Sequence, residues 1–438
     1  MRRAIPALVW ILLACAPSAG PPDDAGTLSL ASSQGSQAEC LPSFPDRNGW
    51  YGGDAAFSLP LAIGDGRTSL WLFGDSFVER AEAPGGRAYP FVHNTVGLSH
   101  CDSDGRWQLE TFWRRGKGKP HAFFEPDPEA SWARPVLGVS RTPAYYWPSD
   151  AFMAHGMLFV GLLRVAPGEP RGPFRLPFRL LGVDLARIEN PRAKPPDWRI
   201  RLSTLSEDRI AFPGSAFVIT RRFLYAFAFY DRGDDRAPRM LSRLPLDALT
   251  AWQPDLSPRL ETWTAGSGWK PGFLPDEAAI LMDDDASEMS VHFDLERGQW
   301  LAVYSDPTPE PSRVSPNEPR PPGEPAELTP ASVRLRRADR LEGPWSAPAP
   351  LVQIPELSPH AQGRIDENLF CYAGKAHPQF AERSQLLVTY VCNLFARSEE
   401  ETILILRRLA ESPELYRPRA LSVGIPAAHS SPAWPRSK

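Results

Sequence analysis

The chain has 438 residues, with 48 Lys and Arg against 52 Asp and Glu and a formal net charge of −4, a balance in which nothing recommends a nucleic-acid surface. Its 49 prolines are roughly twice ordinary usage and fall between short apolar runs, so long helices are excluded and an all-β, loop-rich chain is indicated. No apolar run reaches the ~18 residues of a membrane-spanning helix.

In chain order, Arg2 and Arg3 precede an apolar stretch from Ala4 to Ala14, the layout of a secretory signal. It ends Leu12-Leu13-Ala14-Cys15, which resembles the lipobox of bacterial lipoproteins. The resemblance implies that Cys15 is lipidated and becomes the new N-terminus; an ordinary signal peptide with an incidental Cys15 is the alternative. Residues 1–14 then form the lipoprotein signal and residues 15–39, rich in Ser, Gly, Pro and Ala, a flexible tether. Ala16, in place of the Asp that retains many lipoproteins at the inner membrane, points to the outer membrane or cell surface. The remaining cysteines are even in number, as in an exported disulfide framework. Cys40–Cys101 and Cys371–Cys392 are the expected pairs, because each lies within one repeat. No Cys/His cluster has metal-ligand spacing, so no metal and no cofactor is expected.

Five segments share one pattern, in which a small or polar residue precedes a functional side chain and a short strand. They are Gly53-Asp54-Ala55-Ala56-Phe57, Ser149-Asp150-Ala151-Phe152, Gly214-Ser215-Ala216-Phe217, Ser287-Glu288-Met289-Ser290 and Ala376-His377-Pro378-Gln379-Phe380. Second strands follow at Leu70–Phe73, Leu158–Leu163, Leu224–Tyr230, Trp300–Tyr304 and Leu386–Val391. Third strands follow at Thr95–His100, Leu180–Asp184, Met240–Leu244, Ser332–Arg336 and Ile403–Arg407. The fourth are Trp107–Phe112, Trp198–Leu202, Arg259–Trp263, Trp345–Leu351 and Tyr416–Val423. Four antiparallel strands repeated five times predict a five-bladed β-propeller over residues 40–425. Its blades span approximately residues 50–115, 145–205, 212–265, 285–355 and 370–425, ahead of a tail at 426–438. Pro307–Pro330, with nine prolines, is a long loop within the fourth blade. A pair of β-sandwich domains is the competing architecture.

In a propeller the first strand of each blade lines the axis, so Asp54, Asp150, Ser215, Glu288 and His377 are expected to ring one mouth of the channel. Paired carboxylates at a funnel suit glycoside hydrolysis, one protonating the leaving oxygen while the other attacks or activates water. Asp54 is expected as nucleophile or base and Glu288 as acid, with Asp150 tuning the acid or orienting the sugar. Asp75, His377, Asn393 and Asn94 are expected to contact hydroxyls, and Trp50 and Trp147 to stack on sugar rings. Asp283, Asp284 and Asp285 read as a solvated acidic turn. A Ser-His-Asp arrangement through Ser215 lacks the Gly-x-Ser-x-Gly elbow.

Trp50-Tyr51-Gly52-Gly53-Asp54, Leu70-Trp71-Leu72-Phe73-Gly74-Asp75-Ser76-Phe77, Ser287-Glu288-Met289-Ser290-Val291 and Cys371-Tyr372-Ala373-Gly374-Lys375-Ala376-His377-Pro378 occur in this order. Together they resemble an exported bacterial family catalogued as a domain of unknown function, some members of which are endo-D-arabinanases. The likeness covers roughly residues 44–425 and extends to the five-bladed superfamily of arabinanases, invertases and levansucrases. It implies that Asp54 corresponds to the acidic residue on the first strand of blade one. The acidic trio of arabinanase-type propellers occupies blades one, two and three, whereas here blade three carries Ser215 and the Glu falls in blade four. The implied function is glycoside hydrolysis on a polysaccharide, with arabinan as one substrate type. The implied partners are an oligosaccharide or polysaccharide and, through the anchor, a membrane, with no nucleic acid. The competing class is a non-catalytic propeller that binds a glycan or a protein.

Overall fold

The computed structural model describes residues 40–426 apart from 46–47, 62–67, 80, 84–85, 89, 135–142, 172–175, 233–235, 285, 306–331, 358–368, 382–383, 395–403, 406 and 410. The expected signal, Cys15, its tether, Asp285 and the Pro307–Pro330 loop lie outside the described residues.

The fold is all-β and propeller-like. Among the described residues five larger antiparallel sheets follow one another along the chain, each pairing its strands in sequence order, beside a small sheet of Trp50–Gly53, Ser76–Val78 and Phe91–Val92 and two two-stranded ribbons. The first holds Phe57–Leu61, Thr68–Phe73, Thr95–Cys101 and Trp107–Phe112; the second holds Tyr145–Ala154, Met157–Arg171, Leu176–Ile188 and Ile200–Ser206. The third adds a short fifth strand, Gly268–Pro271, to Ala211–Ile219, Phe223–Tyr230, Arg239–Pro245 and Glu261–Thr264. The fourth holds Ser290–Asp294, Gln299–Ser305, Ser332–Ala338 and Ala349–Gln353, and the fifth Leu369–Ala376, Gln385–Leu394 and Arg419–Gly424.

Each sheet packs on the next, so strands such as Phe223–Tyr230 are buried on both faces and read as near-continuous apolar runs instead of alternating. The apolar clusters sit between neighbours. Leu72 and Val160 share the cluster between sheets one and two, Phe152 and Phe217 that between two and three, Phe227 and Tyr304 that between three and four, and Val303 and Cys371 that between four and five. A fifth cluster around Trp71 and Phe73 takes in Ala420 from the last sheet and Phe380 from the 3-10 turn Pro378–Phe380 between its first two strands.

Polar ties repeat the same order. Asn94 Nδ2 donates to Tyr146 O (2.9 Å), Phe217 N to Asp150 Oδ2 (2.7 Å), Ser215 Oγ to Ser287 O (2.7 Å) and Ala376 N to Ser290 Oγ (2.8 Å). Ser58 Oγ and His377 Nδ1, 2.6 Å apart, join the fifth sheet to the first.

Two expectations change. The fifth sheet has three strands among the described residues: Arg419–Gly424 pairs directly with Gln385–Leu394, and residues 404–405 and 407–409 are helical where a strand over Ile403–Arg407 was expected. Ile405 and Leu409 are buried while Leu404 is exposed, an i, i+4 pattern that the short apolar run conceals. Several fourth strands also begin late: proline-containing 3-10 turns at Ser257–Arg259 and Pro413–Tyr416 take up the expected starts at Arg259 and Tyr416, and the turn Pro195–Asp197 runs up to Trp198, so that strand begins at Ile200.

Both expected disulfides form. Cys371 and Cys392 are direct cross-strand partners, and Cys40 ties the entering chain to Cys101. Because a crosslink removes more unfolded-chain entropy from a longer loop, Cys40→Ser, which opens a span of 61 residues, is expected to cost more stability than Cys371→Ser, with its span of 21. Both should fall within about 2–5 kcal/mol, measured by urea unfolding with and without reductant.

Candidate active site

One irregularity recurs in the first strands. In sheet two the register slips between Pro148 and Ala151, in sheet three between Pro213 and Ala216, and in sheet five between Tyr372 and Lys375. Each slip is a bulge, which breaks the strict alternation of side chains and re-aims those beside it. The first aims Asp150. The third brings Tyr372 and Lys375, of opposite parity along the strand, toward one group of acids. Its backbone demands are specific: Ala373 has φ 58°, and a Cβ on Gly374 would lie 2.7 Å from Ser305 N.

Asp54 sits where Trp50–Gly53 hands over to Phe57–Leu61. Ala55 and Ala56 follow it at φ 63° and 55°, a left-handed pair that non-glycine residues rarely adopt. The turn is fixed by Asp54 N donating to Asp75 O and Gly74 N to Asp54 O, both 3.2 Å, so Asp54 and Asp75 lie side by side. Gly74 leaves room for this arrangement, since a Cβ on it would collide with Asp54 Oδ1 and displace the carboxyl. Asp54 Oδ2 accepts the hydroxyls of Tyr372 and Tyr416, each at 2.7 Å. Burial, with the charges of Asp75 and Glu288, outweighs those two bonds and pushes the Asp54 carboxyl up to about 7. Burial and the neighbouring carboxyl raise both tyrosines, so they remain neutral donors.

Glu288 precedes Ser290–Asp294 and is held by its neighbours: Ser287 O accepts Ser215 Oγ, and the buried Met289 donates its N–H to Ser215 O at 3.4 Å. Glu288 Oε2 accepts Lys375 Nζ at 2.5 Å. Lys375 is 1% exposed, also donates to Ala373 O (2.9 Å), and lies 4.2 Å over the Phe57 ring. Burial lowers the Lys375 ammonium, while Glu288, Asp54 and Asp150 oppose that shift. Asp150 accepts Ala151 N on Oδ1 (2.8 Å) and Phe217 N on Oδ2 (2.7 Å); burial nevertheless pushes it up to about 7. One buried cation thus stands among three carboxyl groups from three different sheets.

The structure therefore brings Asp54, Asp75, Asp150 and Glu288 together and adds Lys375, Tyr372 and Tyr416, which sequence reasoning missed. Among the expected contact residues, Trp147 is half-buried and donates Nε1 to Asp75 Oδ1 at 2.8 Å. The others differ. His377 is buried, with Nδ1 on Ser58 and Nε2 on Thr389 Oγ1 (2.7 Å), and burial pushes it down to about 3; it is a neutral brace between sheets. Lys375, two residues earlier, is the inward residue of that strand, because the bulge shifts the repeat phase.

Asn94 is spent on backbone, donating to Phe124 O and Tyr146 O and accepting Phe124 N. Trp50 is 1% exposed and packs on Phe73 with ring centroids 4.7 Å apart, a core residue with no face to offer a sugar. Asn393 Oδ1 accepts the N–H of Leu394 at 2.8 Å. Ser215 and His377 are committed to separate partners and form no triad. Asp284 is not solvated: it takes a bidentate pair from Arg336 at 2.8 and 2.9 Å, whereas Asp283 is an exposed partner of Arg236.

No group of three or more His, Cys, Asp or Glu suited to a metal ion occurs among the described residues.

Residues 43–243 match the family described as a domain of unknown function, DUF5005. The matched region carries Asp54, Asp75, Trp147 and Asp150, while Glu288, Tyr372, Lys375 and Tyr416 lie C-terminal to it. No curated protein matches this chain. Among solved structures, a candidate hydrolase from Bacteroides ovatus shares the fold at TM-score 0.56 and 15% identity, covering 86% of each chain. An α-L-arabinanase mutant of Cellvibrio cellulosa aligns at TM-score 0.41 and 10% identity over 85% of this chain and 91% of its own. A Bacillus subtilis levansucrase variant bound to oligosaccharides aligns at 0.38 and 11%, over 89% of each.

Proposed function

We propose that this protein is a glycoside hydrolase acting on a polysaccharide, its five sheets being the blades of a propeller and its carboxyl cluster the catalytic centre. The observation that carries this reading is the contrast between two carboxyls in one site. Asp54 is half-buried, its carboxyl bonded among the described residues by the hydroxyls of two neutral tyrosines and pushed up to about 7, whereas Glu288 is paired with the Lys375 ammonium. Carboxyls whose surroundings divide them in this way are what acid and base roles require.

The surroundings favour the reverse of the roles expected from sequence. Both tyrosines occupy Asp54 Oδ2, so the proton of the neutral acid sits on Oδ1, from which it passes to the glycosidic oxygen. Glu288 keeps Oε1 for the anomeric carbon or for a water, because Lys375 holds Oε2. Asp150, with both oxygens bonded to backbone N–H groups, acts on the site through its charge. The reading also places the enzyme at the bacterial outer membrane or cell surface, anchored through Cys15, with a polysaccharide such as arabinan as its partner.

The test is release of reducing ends from a polysaccharide panel that includes arabinan, arabinogalactan, xylan and levan. Release by the wild type and not by Asp54→Asn supports the reading. Tight binding without release would make this a glycan-binding propeller instead. On the glycan so identified, Gly74→Ala is expected to lower kcat about 10²-fold, since its Cβ forces the Asp54 carboxyl off the tyrosine hydroxyls. Circular-dichroism melting should show the variant still folded.

A further inference from the structure

The Asp75 carboxyl is held in an unusual way. Trp147 Nε1 at 2.8 Å and His93 Nδ1 at 3.0 Å both address the same oxygen, Oδ1. Oδ2 has no partner among the described residues, although the Asp75 side chain is 19% exposed. A carboxylate accepts but does not donate, so His93 carries a proton on Nδ1, and the neutral ring presents its lone pair at Nε2. The His93 ring is fixed by stacking on Tyr145 at 3.5 Å and 8°, and its side chain is 30% exposed. Phe91, 42% exposed, stands edge-on to it at 5.7 Å and 89°. The Asp75 backbone is bonded to Asp54, and its charge raises the Asp54 carboxyl.

The geometry points to a hydroxyl-recognition subsite formed by Asp75 Oδ2 and His93 Nε2 beside the carboxyl pair, which takes a neutral sugar ring through two O–H donors. This rests on the reading of the centre as a carbohydrate site, though not on bond cleavage. A purely structural Asp75 would be expected to have both oxygens paired, as Asp150 has. Here one oxygen is clamped by two donors and the other is left as an acceptor. An apolar ring edge beside two acceptors suits the C–H and O–H faces of a sugar. A uronate, sulfated or phosphorylated residue would bring a second negative charge against Asp75 and be rejected, whereas a neutral sugar brings only donors. His93 is thereby a specificity-determining residue that the sequence pattern did not single out.

The experiment uses the full chain carrying Asp54→Asn, so that no turnover occurs during titration. Arabinotriose, xylotriose and levan-type trisaccharides are titrated against trigalacturonate by saturation-transfer NMR and calorimetry. At least one neutral trisaccharide is expected to bind tenfold or more tightly than trigalacturonate. Adding His93→Ala or Asp75→Ala should weaken that binding at least tenfold, with His93→Ala melting as its parent does. Equal or tighter binding of trigalacturonate overturns the proposal. So does neutral-sugar binding indifferent to His93→Ala, or no binding of any neutral trisaccharide at 100 mM. Hydrolysis by the wild type together with such indifference sinks this subsite alone. Selective, His93-dependent binding by a protein that hydrolyses nothing upholds the subsite and sinks the glycosidase reading.

Discussion

Asp54→Asn is expected to lower kcat on the natural polysaccharide by about 10²–10⁴-fold, the ordinary worth of a positioned general acid. The same variant should lose far less on an aryl glycoside whose leaving group needs no proton, whereas Glu288→Gln should be impaired on both substrates. The reverse pattern would return the roles to those expected from sequence. The pH dependence has a definite sign. The acid must be protonated, so wild-type kcat/KM should fall as pH rises through about 7, and that limb should vanish in the variant. Stability follows the same group. The folded carboxyl is raised to about 7 from 3.8, so between those values the folded chain keeps a proton that the unfolded chain has lost. This group's stabilisation is therefore complete below the unfolded value and is lost as pH rises toward 7. Asparagine, which can still accept both hydroxyls, should melt higher relative to wild type at pH 8 than at pH 4.5.

Lys375→Met keeps the volume of the buried stem and removes its charge. The Glu288 carboxylate then has no ammonium, and Asp54 and Asp150 lose the cation between them. Breaking a buried pair from one side typically costs 3–5 kcal/mol; Glu288 is 26% exposed, so a loss of about 3 kcal/mol is expected in denaturant unfolding. Adding Glu288→Gln should return part of that stability, because no uncompensated charge remains. Activity of the single variant should fall about 10²-fold as Glu288 loses its anchor. With the cation gone the Asp54 and Asp150 carboxyls rise further, so the alkaline limb should move to higher pH. Loss of packing alone would leave that limb in place.

Much of this site was legible in the sequence where one residue and its local context suffice. Asp54 after two glycines, Asp150 in a Pro-Ser-Asp turn and Glu288 between small residues all lie in the group expected of them. The fifth position went astray because the repeat was phased on Ala376-His377-Pro378, and a bulge shifts the phase without changing the pattern of residue types. The signal was present: Lys375 is a lone cation in the apolar strand Leu369–Ala376, and a lysine buried in such a strand needs an anionic partner. Tyr372 and Tyr416 carried no comparable signal, since what defines them is a carboxyl more than 300 residues away in sequence. Asn94 and Trp50 show the opposite error. Polar and aromatic residues beside an active strand look alike whether they face substrate or backbone, and for Asn94 the deciding partners are 30 and 52 residues distant.

The two tyrosine donors also bear on when the protein becomes competent. They stand 318 and 362 residues beyond the acid they hold, so the emerging chain carries Asp54 long before it carries Tyr416. A chain stopped short of Tyr416 can build its early sheets but leaves that carboxyl facing water, where it ionises near its ordinary value. The proton donor therefore comes into being only when the last segment docks on the first. Chemistry is tied to completion of the fold, and a half-made or clipped molecule carries its acid without the setting that arms it.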